Sequence, residues 1–558
     1  MSFKAKIITL ISKNTTLTKK DVHNLLSIPP NPKLGDYAFP CFKLDGNPKE
    51  AAAKLKNKIK LPKYIEKCET AGPYLNFYLN KAELAKHTIE SIADGKEKYG
   101  SANKKNKIVV EYCGPNTNKP LHLGHVRNMA IGAAAVNLLQ FQGNKTIPVN
   151  IINDRGVHIC KSMLAYQKWG KGAKPDIKPD HYVGNWYVRY AKEEKKNPEL
   201  KNDIQKMLVK WENKDKQTRA LWKKMNNWVL QGHNATYARF GVHFDKDYYE
   251  SNHYEHGKDV AVEGFRKGIF MKDDTGAIIA PLEKHNLSDK VVLRGDGTSI
   301  YITQDMYLAQ ERYDDYKFDT MVYVVASEQR LHFKQLFQIM ALLKRPFAKN
   351  LYHLSYGLVN LPSGRMKSRE GTVVDADDIL DEMNAVALKE VEKRYPSLRE
   401  KEKQRRAEFI GTGAVKFFML RTDATRDIIF DPEESISFEG ETGPYIQYTH
   451  ARAASILRKV GKLGKPNYAL LTTSQEAAVI SLLEKFAERA AEAAQYRPHI
   501  LCRYLIDLSQ AFNEFYHACK VMGDDQELTT TRASLVAAVK QVLHNGLSLL
   551  GIEAPEEM

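Results

Sequence analysis

The chain has 558 residues, several times the size of one typical hydrophobic core, and therefore predicts three to four domains. It carries 84 Lys and Arg against 67 Asp and Glu, a formal net charge of +17, and its 43% of hydrophobic residues exclude a disordered polycation. A folded basic protein of this size suggests a polyanionic partner, although a surface kept soluble by lysine explains the charge equally well.

The longest apolar stretches, such as residues 129–136, fall far short of the roughly 20 residues of a membrane-spanning helix. We therefore predict a cytoplasmic protein without membrane association. The six cysteines are scattered and form no C-x-x-C pair, which argues against a disulfide framework and against a cysteine zinc site. No tightly bound metal is predicted.

Residues 1–103 mix helical patterns with short strand-like runs and are predicted to form an α+β N-terminal domain. They include a turn-rich segment at residues 31–40. The Gly-, Ser- and Lys-rich stretch at residues 96–107 is typical of a linker, so we expect the first domain boundary near residue 103.

Residues 104–375 alternate strand and helix patterns. Residues 107–112 are β-rich, residues 122–142 have helical period and end at Gly143, and residues 146–152 and 321–326 are further strand candidates. This alternation predicts an α/β fold with a Rossmann-like parallel sheet, whose ligands bind beyond the carboxyl ends of the strands. A charged helical insertion at about residues 184–240 is expected to present solvated faces.

The strand signal fades after about residue 405. Residues 376–435 are predicted to form a connecting region, and residues 436–558 an all-α helical bundle. Within the bundle, helices are expected at residues 445–459, 474–495, 501–522 and 532–550.

The sharpest motif is His122-Leu123-Gly124-His125, which stands where the first strand of the α/β region turns into a helix. A helix N-terminus offers unpaired N–H groups and a partial positive charge, so it favours a phosphate, and two imidazoles three residues apart can donate to its oxygens. Gly124 lacks a Cβ and lets a flat base or sugar approach the backbone. Two other interpretations stay open: half of a metal site, or histidines that only hydrogen-bond within a core.

A second motif is the basic segment at residues 365–371, which is bounded by Gly364 and Gly371. Cations on such a loop can stabilise the charge that develops on a leaving pyrophosphate. Short basic loops are usually only solvated, so this motif is weak by itself.

In this order, the two motifs resemble the HIGH and KMSKS signatures of class I aminoacyl-tRNA synthetases. The arginyl-tRNA synthetase family is resembled by VEYCGPNTNKP at residues 110–120, YITQD at 301–305, GPYIQYTHAR at 443–452 and the ending LGIEAPEEM at 550–558. GDYA at residues 35–38 resembles the N-terminal domain of that family. The basic loop reads RMKSR, so the second lysine of the signature is absent, and either Lys119 or Lys367 is expected to face the phosphates.

The resemblance implies ATP-dependent activation of L-arginine to arginyl-adenylate and transfer to the 3′-terminal adenosine of tRNA(Arg). It further implies Mg²⁺ on the nucleotide, bound tRNA for the first step, and a monomer. Residues 104–375 would be the catalytic domain. The implied catalytic residues are His122, His125, Lys119 and Lys367, and the implied ATP contacts are Gly124, His122, His125, Met366, Lys367, Ser368 and Arg369.

An arginine pocket needs carboxylates and neutral acceptors, because guanidinium is a planar cation with five donors. Tyr301 and Asp305 stand at i and i+4, so they share one helix face and can converge on that group. Glu111, Asn116 and Gln329 follow strands, where the fold rule places ligands. By resemblance, Asn116 and Gln329 hold the α-amino end, and Glu111 gives an additional cationic contact.

The resemblance also assigns tRNA contacts to several parts of the chain. Residues 436–558 would read the anticodon through stacking aromatics, residues 376–435 would contact the stem, and residues 1–103 would touch the elbow. The candidate residues are Asp36, Tyr37, Phe39, Tyr445, Gln447, Tyr448, Arg452, Phe512, Phe515 and Met558. Aromatics at helical spacing often pack in a core instead, so about half of these are expected to be structural.

Two rival functions stay open on the sequence alone. One is a synthetase for another amino acid, which the acidic residues Asp305 and Glu111 disfavour for small apolar substrates. The other is a non-catalytic RNA-binding relative that keeps the fold. The intact HLGH motif, Asn116 and Asp305 argue against it.

Overall fold

The computed structural model describes residues 3–360, residue 362 and residues 374–558. The basic segment at residues 365–371 lies outside the described residues, and with it the predicted ATP contacts Met366, Lys367, Ser368 and Arg369. Within the described part of the chain, no helix is both long and apolar enough to cross a membrane.

The N-terminal region is a small α+β unit, as predicted. Its elements are α1 (Phe3–Asn14), α2 (Lys19–Leu25), β1 (Tyr37–Pro40), α3 (Pro48–Lys58), β2 (Ile65–Ala71), β3 (Tyr74–Leu79) and α4 (Lys81–Gly95). The three strands form an antiparallel sheet in the order β1-β3-β2. Phe3, Ile7, Phe39 and Phe77 fill a separate core between this sheet and the helices.

The centre of the chain is a five-stranded sheet in the order β11-β10-β4-β5-β6, and every pair in it is parallel. The strands are β4 (Lys107–Glu111), β5 (Lys145–Ile152), β6 (Lys246–Tyr249), β10 (Thr320–Ala326) and β11 (Leu351–Tyr356). Val109 and Val110 are both fully buried, because helices cover both faces of a parallel sheet. The predicted Rossmann-like sheet and three of its strands are confirmed.

Helices connect and extend this sheet. They are α5 (Leu123–Phe141), α6 (Val157–Trp169), α7 (Pro179–Lys196), α8 (Leu200–Glu212), α9 (Lys216–Phe240), α10 (Glu250–His253), α11 (Gly257–Arg266), α12 (Tyr301–Tyr316) and α13 (Arg330–Leu342). The predicted insertion corresponds to α7–α9. A small antiparallel sheet of β7 (Met271–Lys272), β8 (Ile278–Ala280) and β9 (Lys290–Leu293) lies between α11 and α12.

The C-terminal part is helical, as predicted. After β12 (Val359–Asn360) come α14 (Ala376–Arg394), α15 (Glu400–Leu420), β13 (Ile428–Ile429), α16 (Pro432–Ser435), α17 (Gly443–Val460), α18 (Ser474–Ala493), α19 (Pro498–Ala518) and α20 (Gln526–Leu549). Helix α20 begins six residues before its predicted start, because Asp525 accepts hydrogen bonds from two N–H groups of its first turn. One hydrophobic cluster joins α5 to α15 and α17–α20. The domain boundaries at residues 103, 375 and 435 stay predictions.

Arg127 on α5 ties the end of β11 to the C-terminal half of the chain. The side chain is fully buried, and its two Nη atoms donate to four backbone carbonyls: Gly357 (2.8 Å), Leu358 (3.1 Å), Arg426 (2.8 Å) and Ala424 (3.3 Å). Residues 357–358 and residues 424–426 thus share one guanidinium, whose planar set of N–H donors can bind several acceptors at once.

We expect Arg127→Met to lower the free energy of unfolding by about 3 kcal/mol, because it leaves buried carbonyls without a donor. Urea unfolding followed by circular dichroism measures the change. Arg405→Met is the matched control, since Arg405 pairs with Glu402 on the exposed face of α15 and such a pair contributes under about 0.5 kcal/mol. Equal urea midpoints for the two variants would contradict the role of Arg127.

Candidate functional site

The turn after β4 aims the chain toward the start of α5. Cys113 and Gly114 both have positive φ angles, of 79° and 65°, so the backbone reverses sharply here. Asn128 of α5 accepts from the N–H of Cys113 at 2.5 Å and donates to the carbonyl of Val324 on β10 at 2.8 Å. One buried amide therefore joins β4, β10 and α5 at the carboxyl edge of the sheet.

The two histidines of the HLGH motif cap α5. Nδ1 of His122 accepts from the N–H of Gly124, and Nδ1 of His125 accepts from the N–H of His122, both at 3.1 Å. The N–H of Leu123 donates to the carbonyl of Val374 at 3.0 Å. The expectation of unpaired backbone N–H groups is therefore wrong, since the imidazoles and a neighbouring strand segment already satisfy them.

Capping fixes the chemistry of both rings. Burial lowers the pKa of His122 to about 3, with Lys119 adding to the effect, and lowers the pKa of His125 well below its ordinary value. Both rings are thus neutral near pH 7. Since Nδ1 of each ring accepts a hydrogen bond, the proton resides on Nε2, and each ring presents one N–H donor away from the helix.

Gly124 and Lys119 flank these rings. A Cβ on Gly124 would lie 3.0 Å from Cε1 of His122, so glycine leaves room for the imidazole itself, in addition to the predicted approach of a ligand. Lys119 is half-buried, and burial lowers the pKa of its ammonium while Asp375 opposes that shift. Its charge acts on His122, so Lys119 lies beside the predicted phosphate site. Lys367 lies outside the described residues, and the choice between the two lysines stays open.

A cavity of about 840 Å³ opens at the carboxyl edge of the sheet and brings together residues from distant parts of the chain. Eight of the predicted ligand contacts line it: His122, Gly124, His125, Glu111, Asn116, Tyr301, Asp305 and Gln329. The phosphate-binding and amino-acid-binding predictions therefore meet in one space, as expected for ligands of parallel sheets.

Asp305 stands at the acidic end of this cavity. Nε2 of His332, on α13, donates to Oδ2 of Asp305 at 2.6 Å and orients the carboxylate. Tyr301 begins α12 one turn before Asp305, and the residue is 74% exposed at the mouth of the cavity. Gln329 ends the loop after β10 and is exposed.

Glu111 differs from its prediction as an additional contact for a bound cation. Its carboxylate forms a buried ion pair with Arg312 of α12, so an internal guanidinium already balances its charge. The ring of Tyr248 lies 5.0 Å from the Arg312 guanidinium carbon and packs against it. Glu111 is therefore a member of a neutral pair at the wall of the cavity.

Glu250 is a site residue that the sequence analysis missed. It is buried at the junction of β6 and α10, lines the cavity, and accepts from Nε2 of Gln304 at 3.2 Å. Burial raises the pKa of its carboxyl to about 7, although Arg155 opposes the shift. The available signal was weak, because β6 has only four residues and follows a long helical insertion.

The described residues contain one group of side chains with metal-ligand types close together: Asp180, His181 and Asp377. The ammonium of Lys178 lies 3.0 Å from Asp180 and 2.7 Å from Asp377, so it already supplies the positive charge at this point. The histidine pair of the HLGH motif is not part of this group. Its Nδ1 atoms are occupied by backbone N–H groups, which disfavours the metal interpretation.

Several predicted tRNA contacts lie on an open face of the helical bundle. Tyr445, Tyr448 and Arg452 of α17 are half-buried. Asn513 of α19 donates to the Tyr445 hydroxyl at 2.9 Å and accepts from Arg452 at 3.0 Å. Next to them runs a groove of about 660 Å³ lined by Tyr445, Gln475, Gln510, Asn513, Glu514, His517 and Ala518.

Other predicted tRNA contacts are inside the protein, which corrects their assignment. Gln447 is fully buried and donates to the carbonyls of Phe409 and Glu553. Phe512, Phe515 and Met558 belong to the large hydrophobic cluster. In the N-terminal unit, Tyr37 and Phe39 are core residues, whereas Asp36 is exposed and accepts from the N–H of Leu79. The apolar side chains pack against other core residues, and the buried amide of Gln447 donates to backbone carbonyls, so none of them faces solvent.

Comparison with protein families covers most of the chain. Residues 88–432 match the family described as tRNA synthetases class I (R), catalytic domain. Residues 446–558 match the DALR anticodon binding domain, and residues 2–79 match the arginyl tRNA synthetase N terminal domain.

Curated relatives and solved structures agree with these matches. An arginine--tRNA ligase of Treponema denticola is 43% identical, and the match covers 96% of this chain and 94% of the relative. An arginine--tRNA ligase of Borrelia hermsii is 38% identical, with 99% and 98% covered. The arginyl-tRNA synthetase of Thermus thermophilus has a similar fold, with a TM-score of 0.86, 27% identity and full coverage of both chains.

We expect His122 and His125 to stay in the neutral form with the proton on Nε2 between pH 5 and pH 8, because burial lowers the pKa of His122 to about 3 and holds the pKa of His125 well below its ordinary value. Nitrogen-15 chemical shifts of labelled histidine measure the tautomer and the protonation directly. His122→Asn and His125→Asn assign the signals, since each removes one of them. Imidazolium shifts for either ring between pH 5 and pH 6.5 would contradict the capping arrangement.

Proposed function

The chain belongs to the class I tRNA synthetase family for arginine, and on that premise we propose that it is an arginine–tRNA ligase. It joins L-arginine to ATP, forming arginyl-adenylate and diphosphate, and then transfers arginine to the 3′-terminal adenosine of tRNA(Arg) with release of AMP. The observation that supports this most is the shared cavity, where the neutral histidine donors lie in the same space as the acidic side chains.

The first step needs positioning and charge stabilisation more than covalent help from the protein. The arginine carboxylate attacks the α-phosphorus of ATP, and diphosphate leaves with the electrons of the broken P–O bond. The Nε2–H groups of His122 and His125 donate to phosphate oxygens, and Lys119 adds a positive charge beside them. Because the rings are neutral, they bind the phosphate without giving up a proton.

The acidic end of the cavity selects the side chain of arginine. Asp305, oriented by His332, and Glu250, held by Gln304, offer carboxylate oxygens to the planar guanidinium, and Tyr301 covers it. Arg155 lies 3.9 Å from Glu250, farther than a hydrogen bond, and balances part of its charge. Asn116 and Gln329 lie in the loops that follow the neighbouring strands β4 and β10, line the cavity and hold the α-amino end. The Glu111–Arg312 pair carries no net charge, so it bounds the slot without attracting a second cation.

Binding of tRNA uses the positive charge of the whole chain and the open face of α17 and α19. The guanidinium carbon of Arg452 lies 4.9 Å from the ring centroid of Tyr448 and 5.3 Å from that of Tyr516. Tyr448 is half-buried and Tyr516 is exposed, and aromatic rings on a surface can stack on unpaired bases. Asp36 stays the exposed candidate in the N-terminal unit. Mg²⁺ enters as part of the nucleotide substrate, and the active species is a monomer.

Aminoacylation of total tRNA with each of the twenty amino acids, in separate reactions, tests the function. We expect a product with arginine alone. A product with another amino acid would identify a different synthetase, and no product with any amino acid would support the non-catalytic RNA-binding alternative. Exchange of diphosphate into ATP, measured with and without tRNA in parallel, tests whether bound tRNA is needed for the first step, and exchange at full rate without tRNA would contradict that need.

The raised pKa of Glu250 predicts a pH dependence for arginine. The carboxyl is largely ionised at pH 8 and largely protonated at pH 6, so the KM for arginine should rise by about tenfold between them. Glu250→Gln should have a high KM at both pH values. Steady-state aminoacylation measures both, with Glu255→Gln as an exposed control on the same segment. A parent KM that does not change with pH, or falls toward pH 6, would remove Glu250 from the arginine site.

A further inference from the structure

The helical insertion contacts the back of the HLGH turn. Gly184 of α7 lies so close to Pro120 that an added Cβ would be 2.8 Å from the proline Cδ. Nε2 of His233, on α9, donates to the carbonyl of Lys119 at 3.0 Å. The insertion, whose charge runs are predicted to be solvated faces, thus also packs behind residues 119 and 120.

A second contact is ionic and joins the insertion to the start of α14. The Lys178 ammonium donates to Asp377 at 2.7 Å, to Asp180 at 3.0 Å and to the Thr236 hydroxyl at 2.7 Å. Nε2 of His181 lies 2.9 Å from the same oxygen of Asp377. The Thr236 hydroxyl of α9 donates to the other oxygen of Asp377 at 3.1 Å. Asp377 therefore receives donors from the beginning of α7 and from α9.

The peptide segment that carries Asp377 is paired with the HLGH turn. Its residues 374–376 run antiparallel to residues 121–123, and His122 is the partner of Asp375 in this pairing. The N–H of Leu123 donates to the carbonyl of Val374 at 3.0 Å, and the N–H of Ala376 donates to the carbonyl of Leu121 at 2.8 Å. Asp377 is the first residue beyond this pairing.

The buried core of the cluster leaves little freedom for other arrangements. Asp180 is fully buried, and its carboxylate fills the space that a Cβ on Gly232 would need, at 2.1 Å. Asp377 is 9% exposed, and His181 is half-buried. The ammonium of Lys178 already balances the carboxylates of Asp180 and Asp377, as a metal ion would do. The contacts therefore indicate a structural role, in which they hold the insertion against the start of α14.

We infer that Lys178, His181 and Asp377 are positioning residues for the phosphate-binding turn. They hold residues 374–376 against residues 121–123, and this pairing fixes the direction of the His122 ring and the start of α5. None of the three side chains lines the cavity, so they act on the reaction through the turn. The inference rests on the proposed function, because ATP is the ligand whose binding reports on the turn.

The test compares ATP with arginine in His181→Ala, His181→Gln and Asp377→Asn. We expect the KM for ATP to rise by about tenfold in His181→Ala and Asp377→Asn, while the KM for arginine stays within about twofold, because Asp305 and Glu250 stand on α12 and α10. His181→Gln should restore most of the ATP affinity, since its amide N–H lies where Nε2 of histidine lies. Calorimetry with ATP alone gives the same comparison without turnover.

The controls separate this inference from the proposed function. His285→Ala, an exposed histidine in the turn after β8, should behave as the parent enzyme in both KM values. A parent that forms no arginyl-tRNA would contradict the proposed function. A parent that does, together with a folded His181→Ala whose ATP KM and kcat stay within twofold, would overturn the inference. Equal losses for ATP and arginine, or no rescue by glutamine, would overturn it as well. If Asp377→Asn does not fold, the half-buried His181 variants still decide.

Discussion

The start of α5 is the constraint on which the site depends. Nδ1 of His122 accepts from the N–H of Gly124, Nδ1 of His125 accepts from the N–H of His122, and both rings present their own N–H groups at Nε2. The rings thus extend the partial positive charge of the helix N-terminus toward the cavity. They stay neutral, since burial keeps their pKa values low. Under the proposed function, a bound phosphate would meet two donors whose direction is already set, and such preorganised donors stabilise the charge that develops in the transition state.

Keeping these rings in place requires contacts from the whole chain. Asn128 fixes the turn after β4 to α5 and β10, and Arg127 on the same helix holds four carbonyls from two later segments. The residues 374–376 complete the first turn from the other side. Helix α5 also packs into the hydrophobic cluster shared with α15 and α17–α20. The helix that begins at the candidate site therefore also contacts the helical bundle.

Much of the fold could be predicted, because apolar periodicity and turn residues are local signals. The strands at residues 107–112, 146–152 and 321–326 and the helices of the bundle appear where expected. The HLGH motif was recognisable because its two histidines stand where a strand turns into a helix. Asp305 was recognisable because it stands at i+4 from Tyr301 in a segment that resembles the family. Glu250 was not, since a carboxylate after a four-residue strand has no local signature, and Gln447 and Phe512 were misplaced because only the packed partner decides which face of a helix is buried. Likewise, no local sequence signal predicts the ion pair of Glu111 with Arg312, because the two residues are 201 positions apart in the chain.

We propose that neutral histidine donors at the start of α5 hold the nucleotide beside an acidic slot for a guanidinium. A crystal structure with L-arginine and an ATP analogue that cannot be cleaved at the α-phosphorus tests this most directly. We expect phosphate oxygens about 3 Å from Nε2 of His122 and His125, with the guanidinium between Asp305 and Glu250. A nucleotide bound away from both rings, or an arginine side chain turned away from both carboxylates, would contradict it.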